Sequence, residues 1–106
     1  MARVLISLPR AARRGEVVEI RTLVQHVMET GYRPGANGEL LPRDIIRRFA
    51  CAWNGEEVFS AELFPAVAAN PFLGFTTVAT ESGVLTFTWT GDNGFAQTET
   101  RTITVE

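Results

Sequence analysis

The stretch GVLTFTWTGDNGFAQTETRTITVE, residues 83–106, decides the fold. Leu85, Phe87 and Trp89 alternate with Thr86, Thr88 and Thr90, the two-residue period of a strand with one buried face. Gly91-Asp92-Asn93-Gly94 makes the turn. Phe95 to Val105 returns with Thr98, Thr100, Thr102 and Thr104 on one side and Ile103 and Val105 on the other, completing a hairpin. Ten of the twelve threonines lie from Thr76 onward, where β-branched side chains favour a pleated surface.

The same alternation recurs upstream. Val18, Ile20, Val24 and Met28 share a parity, so Glu16 to Met28 reads as a half-buried strand, ended by Thr30-Gly31 and the Pro34 to Gly38 cluster. Pro42 to Trp53 has two readings, because Ile45, Ile46, Phe49, Ala50 and Trp53 also fit a helix capped by Asp44. A strand is preferred: Asn54-Gly55 is a strong two-residue hairpin signal, and Glu57 to Leu63, with Phe59, Ala61 and Leu63 on one face, supplies the returning partner. Arg3 to Leu8 and Phe72 to Val78 bring the count to seven. The expectation is one domain over residues 1–106, an all-β, immunoglobulin-like β-sandwich of about seven antiparallel strands.

Composition narrows the function. All ten basic residues are Arg, and the absence of Lys excludes Schiff-base chemistry, a P-loop Lys, and lipoyl or biotinyl attachment. A formal charge of −2 and a pI near 5.4 argue against a phosphate-neutralising surface, so no nucleic acid is expected. One cysteine, Cys51, makes no internal disulfide, and one histidine, His26, makes no multi-His metal site. The apolar run Val4 to Leu8 is too short for a secretory signal. The longest uncharged stretch, Leu63 to Thr80, is broken by Pro65, Pro71 and Gly74, so no membrane span is expected and the chain reads as soluble. Cysteine frugality suits cytoplasm and periplasm equally.

Individual residues offer only fragments of chemistry. Cys51 sits between Ala50 and Ala52 on the face of Phe49 and Trp53, which suits an inert core thiol better than a nucleophile. A Cys51–His26 dyad lacks an orienting third member. His26 and Met28, two apart on one strand face, are a plausible piece of a soft copper site, and a small periplasmic copper carrier is the rival reading; a strand-end histidine beside a core methionine is the simpler one. Glu29 and Glu39 fall in Gly-rich loops, where solvated carboxylates are expected rather than an acid–base pair. Arg10, Arg13 and Arg14 form a basic knot suited to an anion or an acidic partner, or simply to a solvated loop. Leu63 to Phe75 carries no polar side chain except Asn70, so it either wraps the core or greases an interface.

In order and spacing, several segments resemble SoxZ, the smaller subunit of the SoxY–SoxZ carrier of bacterial sulfur oxidation. They are His26-Val27-Met28-Glu29-Thr30-Gly31, close to the signature HPMETG; Asn54-Gly55; Asn70-Pro71-Phe72-Leu73-Gly74-Phe75; and Val84 to Gly94 with Trp89 and Asp92-Asn93-Gly94. Val27 stands where the signature has Pro, and Cys51 is not required by the family pattern. The resemblance implies a non-catalytic partner for SoxY, whose Gly-rich carboxyl terminus holds the cysteine that carries covalent sulfur intermediates of thiosulfate oxidation. It implies no cofactor and no metal in this chain, whose own end, Arg101 to Glu106, has neither Cys nor Gly. It also implies a periplasmic address reached by co-export with SoxY, and transient contacts with a haem enzyme, a sulfate-releasing hydrolase and a sulfane dehydrogenase. The recognition surface expected from it is His26, Met28, Glu29, Thr30 and Gly31 in one turn and Asn70, Pro71, Phe72 and Phe75 in another.

Overall fold

Leu85, Phe87 and Trp89 are fully buried in the computed structural model, which describes residues 2–106. Eight strands form, β1 Val4–Ser7, β2 Ala11–Ala12, β3 Val17–Val24, β4 Ile46–Trp53, β5 Glu56–Glu62, β6 Phe72–Val78, β7 Gly83–Gly91 and β8 Ala96–Val105. They make two sheets, one of order β1-β3-β6 and one of order β2-β8-β7-β4-β5. The immunoglobulin-like sandwich read from the sequence is therefore present, and Pro42 to Trp53 resolves to strand, not helix.

Phe49 is the hub of the core. Its ring meets Phe59, Phe75, Phe87 and Trp89 at centroid distances of 6.1, 6.0, 6.4 and 5.1 Å. Phe59 and Phe75 stack at 4.4 Å, joining β5 of one sheet to β6 of the other. Asn54 and Gly55 both adopt positive φ, 50° and 84°, as a tight primed hairpin turn demands. The Asn54 side chain then accepts from Val84 N–H at 2.9 Å, tying that hairpin to β7.

Two expectations need correction, and a third, the shared face of Phe59, Ala61 and Leu63, holds with a local irregularity before it. An eighth strand, β2, arises inside the Arg10 to Arg14 knot and runs parallel to β8, because Arg10 O and Ala12 O accept from the N–H groups of Thr104 and Glu106. The strand read as Glu16 to Met28 stops at Val24: His26 turns to bond with Asn70, and Met28 has φ 49°. A bulge opposite Cys51/Ala52 inserts Val58, so β5 alternates only from Phe59 onward.

The molecule measures 59 × 20 × 19 Å. A ten-residue strand spans only about 33 Å, so connections at the ends supply the rest of the length. Residues 25–45, between β3 and β4, are the longest such connection.

A candidate docking surface at one end of the sandwich

Two of the segments singled out in the sequence are bonded to each other. Asn70, at φ 54°, donates its N–H to His26 O at 2.7 Å, and its Oδ1 accepts from His26 N–H at 3.0 Å. Such a left-handed residue is one of the few non-glycine roles for which Asn is suited. Pro71, buried, accepts from Val24 N–H at 3.3 Å, so the β5–β6 connection is fastened to the end of β3.

His26 and Met28 are committed within this turn. His26 Nδ1 accepts from Met28 N–H at 3.0 Å, which leaves the ring proton on Nε2, 3.6 Å from Asp44 Oδ1. The imidazole packs edge-on against Phe95 at 4.9 Å. Met28 Sδ accepts from Ile46 N–H at 3.3 Å, and the side chain is buried. The copper reading would need both acceptors at once, and each already serves a backbone N–H. Among the described residues no group of three or more His, Cys, Asp or Glu is placed to hold a metal ion.

Beyond Met28 the chain runs out and back as a narrow ribbon. Glu29 and Asp44 exchange backbone bonds of 2.8 Å, Leu41 N–H donates to Arg33 O at 2.8 Å, and Pro34 bridges Leu40. Gly31 has φ 89°, and a Cβ there would lie 3.0 Å from Arg43 Cβ, so the two strands of the ribbon touch where only glycine fits. Thr30 Oγ1 accepts from Tyr32 N–H at 3.1 Å. The Arg33 guanidinium bonds the Glu29 carboxylate at 2.7 and 3.3 Å and holds it below the usual carboxylate range. Glu39 remains exposed in the ribbon, away from any acid–base role.

Asp92 clamps the ribbon to the β7–β8 turn. Arg43 grips it with Nε at 2.8 Å and Nη2 at 2.9 Å, Ile45 N–H donates to it at 3.1 Å, and Arg47 Nε lies 3.3 Å away. The hydrogen bond from Arg43 is the main reason its carboxyl sits below the ordinary value. A depressed folded-state pKa contributes stability that is complete above the unfolded value, about 4, and is lost as pH falls through the folded one. The stability gap between the wild type and Asp92→Asn is therefore expected to be widest at neutral pH and to close below about pH 4, read from denaturant midpoints across a pH series.

A row of apolar side chains crosses the other sheet, next to the His26–Asn70 contact. On the outer face of the three-stranded sheet, Leu5 pairs with Leu23 and Leu23 with Phe72, a row across all three strands. Leu5 and Phe72 are 55% and 60% exposed. The Phe72 ring lies over Gly74, where a Cβ would sit 3.6 Å from Cε1. Val27, at 68%, and Tyr32 and Leu40 on the ribbon continue the exposed apolar character. Exposed apolar side chains grouped in such a row are what partner sites present.

The structure sorts the expected recognition residues. His26, Glu29, Thr30 and Gly31 are half-buried, and Asn70 and Phe72 are exposed at this end. Met28, Pro71 and Phe75 are interior: Phe75 is packed between Phe49 and Phe59, so it supports the surface and is not part of it. The Leu63 to Phe75 stretch is divided: Leu63 and Pro71 are buried against the core, while Phe64 and Phe72 are exposed. Leu5 and Leu23 were not singled out by the sequence reading, because only strand pairing aligns them with Phe72. Cys51 lies in the core, and burial pushes its thiol up to about 12. Alkylation of the folded protein is expected to be slow, and to become rapid only in denaturant, as followed by mass spectrometry.

Comparison with known proteins follows the geometry. The family model described as "SoxZ: Sulphur oxidation protein SoxZ" matches residues 6–102. No curated protein matches the chain. Among solved structures, a superoxide reductase (neelaredoxin) from Ignicoccus hospitalis superposes with a TM-score of 0.73 at 17% identity, covering 97% of this chain and 80% of that one. The sulfur carrier protein SoxY from Chlorobium limicola f thiosulfatophilum superposes with a TM-score of 0.67 at 13% identity, covering 97% and 78%. A putative superoxide reductase from Thermotoga maritima gives 0.67 at 18%, covering 97% and 85%. At these identities the likeness is one of fold.

Proposed function

The chain belongs to the SoxZ family of sulphur oxidation proteins, and from that premise we propose that it is the non-catalytic partner of SoxY, holding the carrier while other enzymes process its sulfur-loaded cysteine. The observation that carries this reading is the family match over residues 6–102. The chemistry of the chain agrees with it. Its thiol is buried with its pKa raised, and its histidine is bonded into a turn. What it offers outward is a sheet face of Leu5, Leu23 and Phe72 beside the His26–Asn70 clamp.

Affinity on such a face comes mainly from removing apolar area from water, at about 25 cal/mol per Å², and a stable pair buries roughly 800 Å² on each side. The ribbon carrying Tyr32 and Leu40 extends the same end and enlarges what a partner can touch. Transient contacts with the sulfur-processing enzymes belong to the remaining surface of the pair. A periplasmic location, reached together with SoxY, fits the family; no helix is long and apolar enough to cross a membrane among the described residues.

Co-expression with a SoxY followed by size-exclusion chromatography tests the reading. One peak holding both chains in equal amounts is expected. Two separate monomer peaks at about micromolar concentration, a range in which stable pairs stay associated, would overturn it.

A further inference from the structure

β8 is an interior strand by order but an edge strand for most of its length. β7 pairs with it from Ala96 to Ile103, whereas β2 covers only Thr104 and Val105 on the other side. Because Thr104 and Glu106 turn their N–H groups toward β2, residues of the same parity do likewise. Thr98, Thr100 and Thr102 therefore turn their N–H and C=O groups to the side that β7 does not use, where among the described residues Arg101 bonds Thr100 O and the Pro9–Arg10 segment flanks Thr102. An open edge of this kind is a template for another strand unless something blunts it.

The side chains on this edge are arranged for one particular strand. Glu99 and Arg101 both project from the inner face, half-buried, 3.7 Å apart on the same strand. In the isolated chain, Arg101 Nη1 donates to Thr100 O at 2.7 Å, and Glu99 accepts from Gln97 Nε2 at 2.7 Å. From this pattern the geometry points to a second copy of this chain as the occupant: two β8 strands pair antiparallel about a two-fold axis at Thr100, joining two five-stranded sheets into one.

That register sets Glu99 of each copy opposite Arg101 of the other. Their parity makes this a non-hydrogen-bonded pair, in which facing side chains come closest. It also sets Thr98 against Thr102 and Thr100 against Thr100 on the outer face, with the free backbone groups of all three satisfied. Sliding the axis to Glu99 or to Arg101 brings like charges face to face, and the axis at Thr100 is the register that sets Glu99 against Arg101 on both sides of it, in the symmetric way an isologous contact requires. On pairing, the Thr100 N–H of the second copy replaces Arg101 at Thr100 O, which frees Arg101 for Glu99 across the axis. The contact uses the backbone edge of β8 and not the outer face of the three-stranded sheet that carries the Phe72 row, so it does not depend on the SoxY reading.

Sedimentation equilibrium of the full chain from about 1 μM to about 1 mM, spanning weak to moderate affinities, tests the proposal. Reversible dimerisation is expected. Glu99→Arg and Arg101→Glu are each expected to weaken it about tenfold or more, and the double swap to restore it to within about threefold of the wild type, since two symmetry-related pairs change together. Thr100→Pro removes an outward N–H that β7 does not use, which edge strands tolerate; it should abolish the dimer while circular dichroism stays native. A wild type that remains monomeric throughout, single variants that dimerise as well as the wild type, or a double swap no better than the singles would each overturn the proposal. So would amide-exchange protection of Thr98, Thr100 and Thr102 that appears only when SoxY is added, since that outcome gives the edge to SoxY.

Discussion

Phe49→Ala is expected to lower the free energy of unfolding by about 3–5 kcal/mol, the usual range for deleting a buried aromatic ring. Phe49 is completely buried and is the ring on which Phe59, Phe75, Phe87 and Trp89 converge from both sheets. The cavity has little means of collapsing, because its neighbours are held on three separate strands, Phe59 on β5, Phe75 on β6, and Phe87 and Trp89 on β7. Trp89 is already under strain of another kind: its indole N–H is buried without an acceptor among the described residues, a cost of about 1–3 kcal/mol that the packing of its ring must offset. Against a total of about 5–15 kcal/mol for a domain, the Phe49 loss should lower the melting temperature by roughly 15 °C or more. Scanning calorimetry of the variant measures it; a shift of only a few degrees would mean that the two sheets do not depend on this ring for contact.

Phe72→Asp is expected to weaken the complex with SoxY about a hundredfold or more. Removing a central aromatic anchor costs about 2 kcal/mol or more, placing an unpaired carboxylate in a dry interface brings the loss to about 3–5 kcal/mol, and each 1.4 kcal/mol is tenfold. Phe72 already stands 60% exposed in the monomer, so the fold itself loses little. Val84→Asp is the control, an exposed position on the outer face of the other sheet, and it should leave binding unchanged. Surface plasmon resonance on the purified pair reads both. If Phe72→Asp binds as the wild type does, the partner sits elsewhere on the molecule even where the two chains co-purify.

Much of this architecture was legible before folding was considered. The β7 alternation Leu85, Phe87, Trp89 and the Asn54-Gly55 turn are local signals: a two-residue period and a pair of left-handed backbone positions hold whatever lies across the strand. The buried thiol of Cys51 followed from its neighbours Phe49 and Trp53 on the same face. His26 to Gly31 and Asn70 to Phe72 were also visible as motifs, though not as one bonded unit.

What the linear chain left open depends on contacts between residues far apart in it. Strand β2 exists only because β8 lends it two N–H groups, so a two-residue alanine segment carried no signal of its own. The end of β3 at Val24 is set by Asn70, which lies 44 residues beyond His26. Phe75 looked like surface because it closes an apolar loop motif, yet stacking on Phe59 draws it inside. The row Leu5, Leu23, Phe72 and the open edge of β8 appear only once register is known. The sequence by itself determined which residues alternate, where the chain turns and which chemistry is absent, since these rest on neighbours along the backbone. Tertiary structure alone decided which faces and edges remain uncovered, because a strand's exposure is a property of what pairs with it.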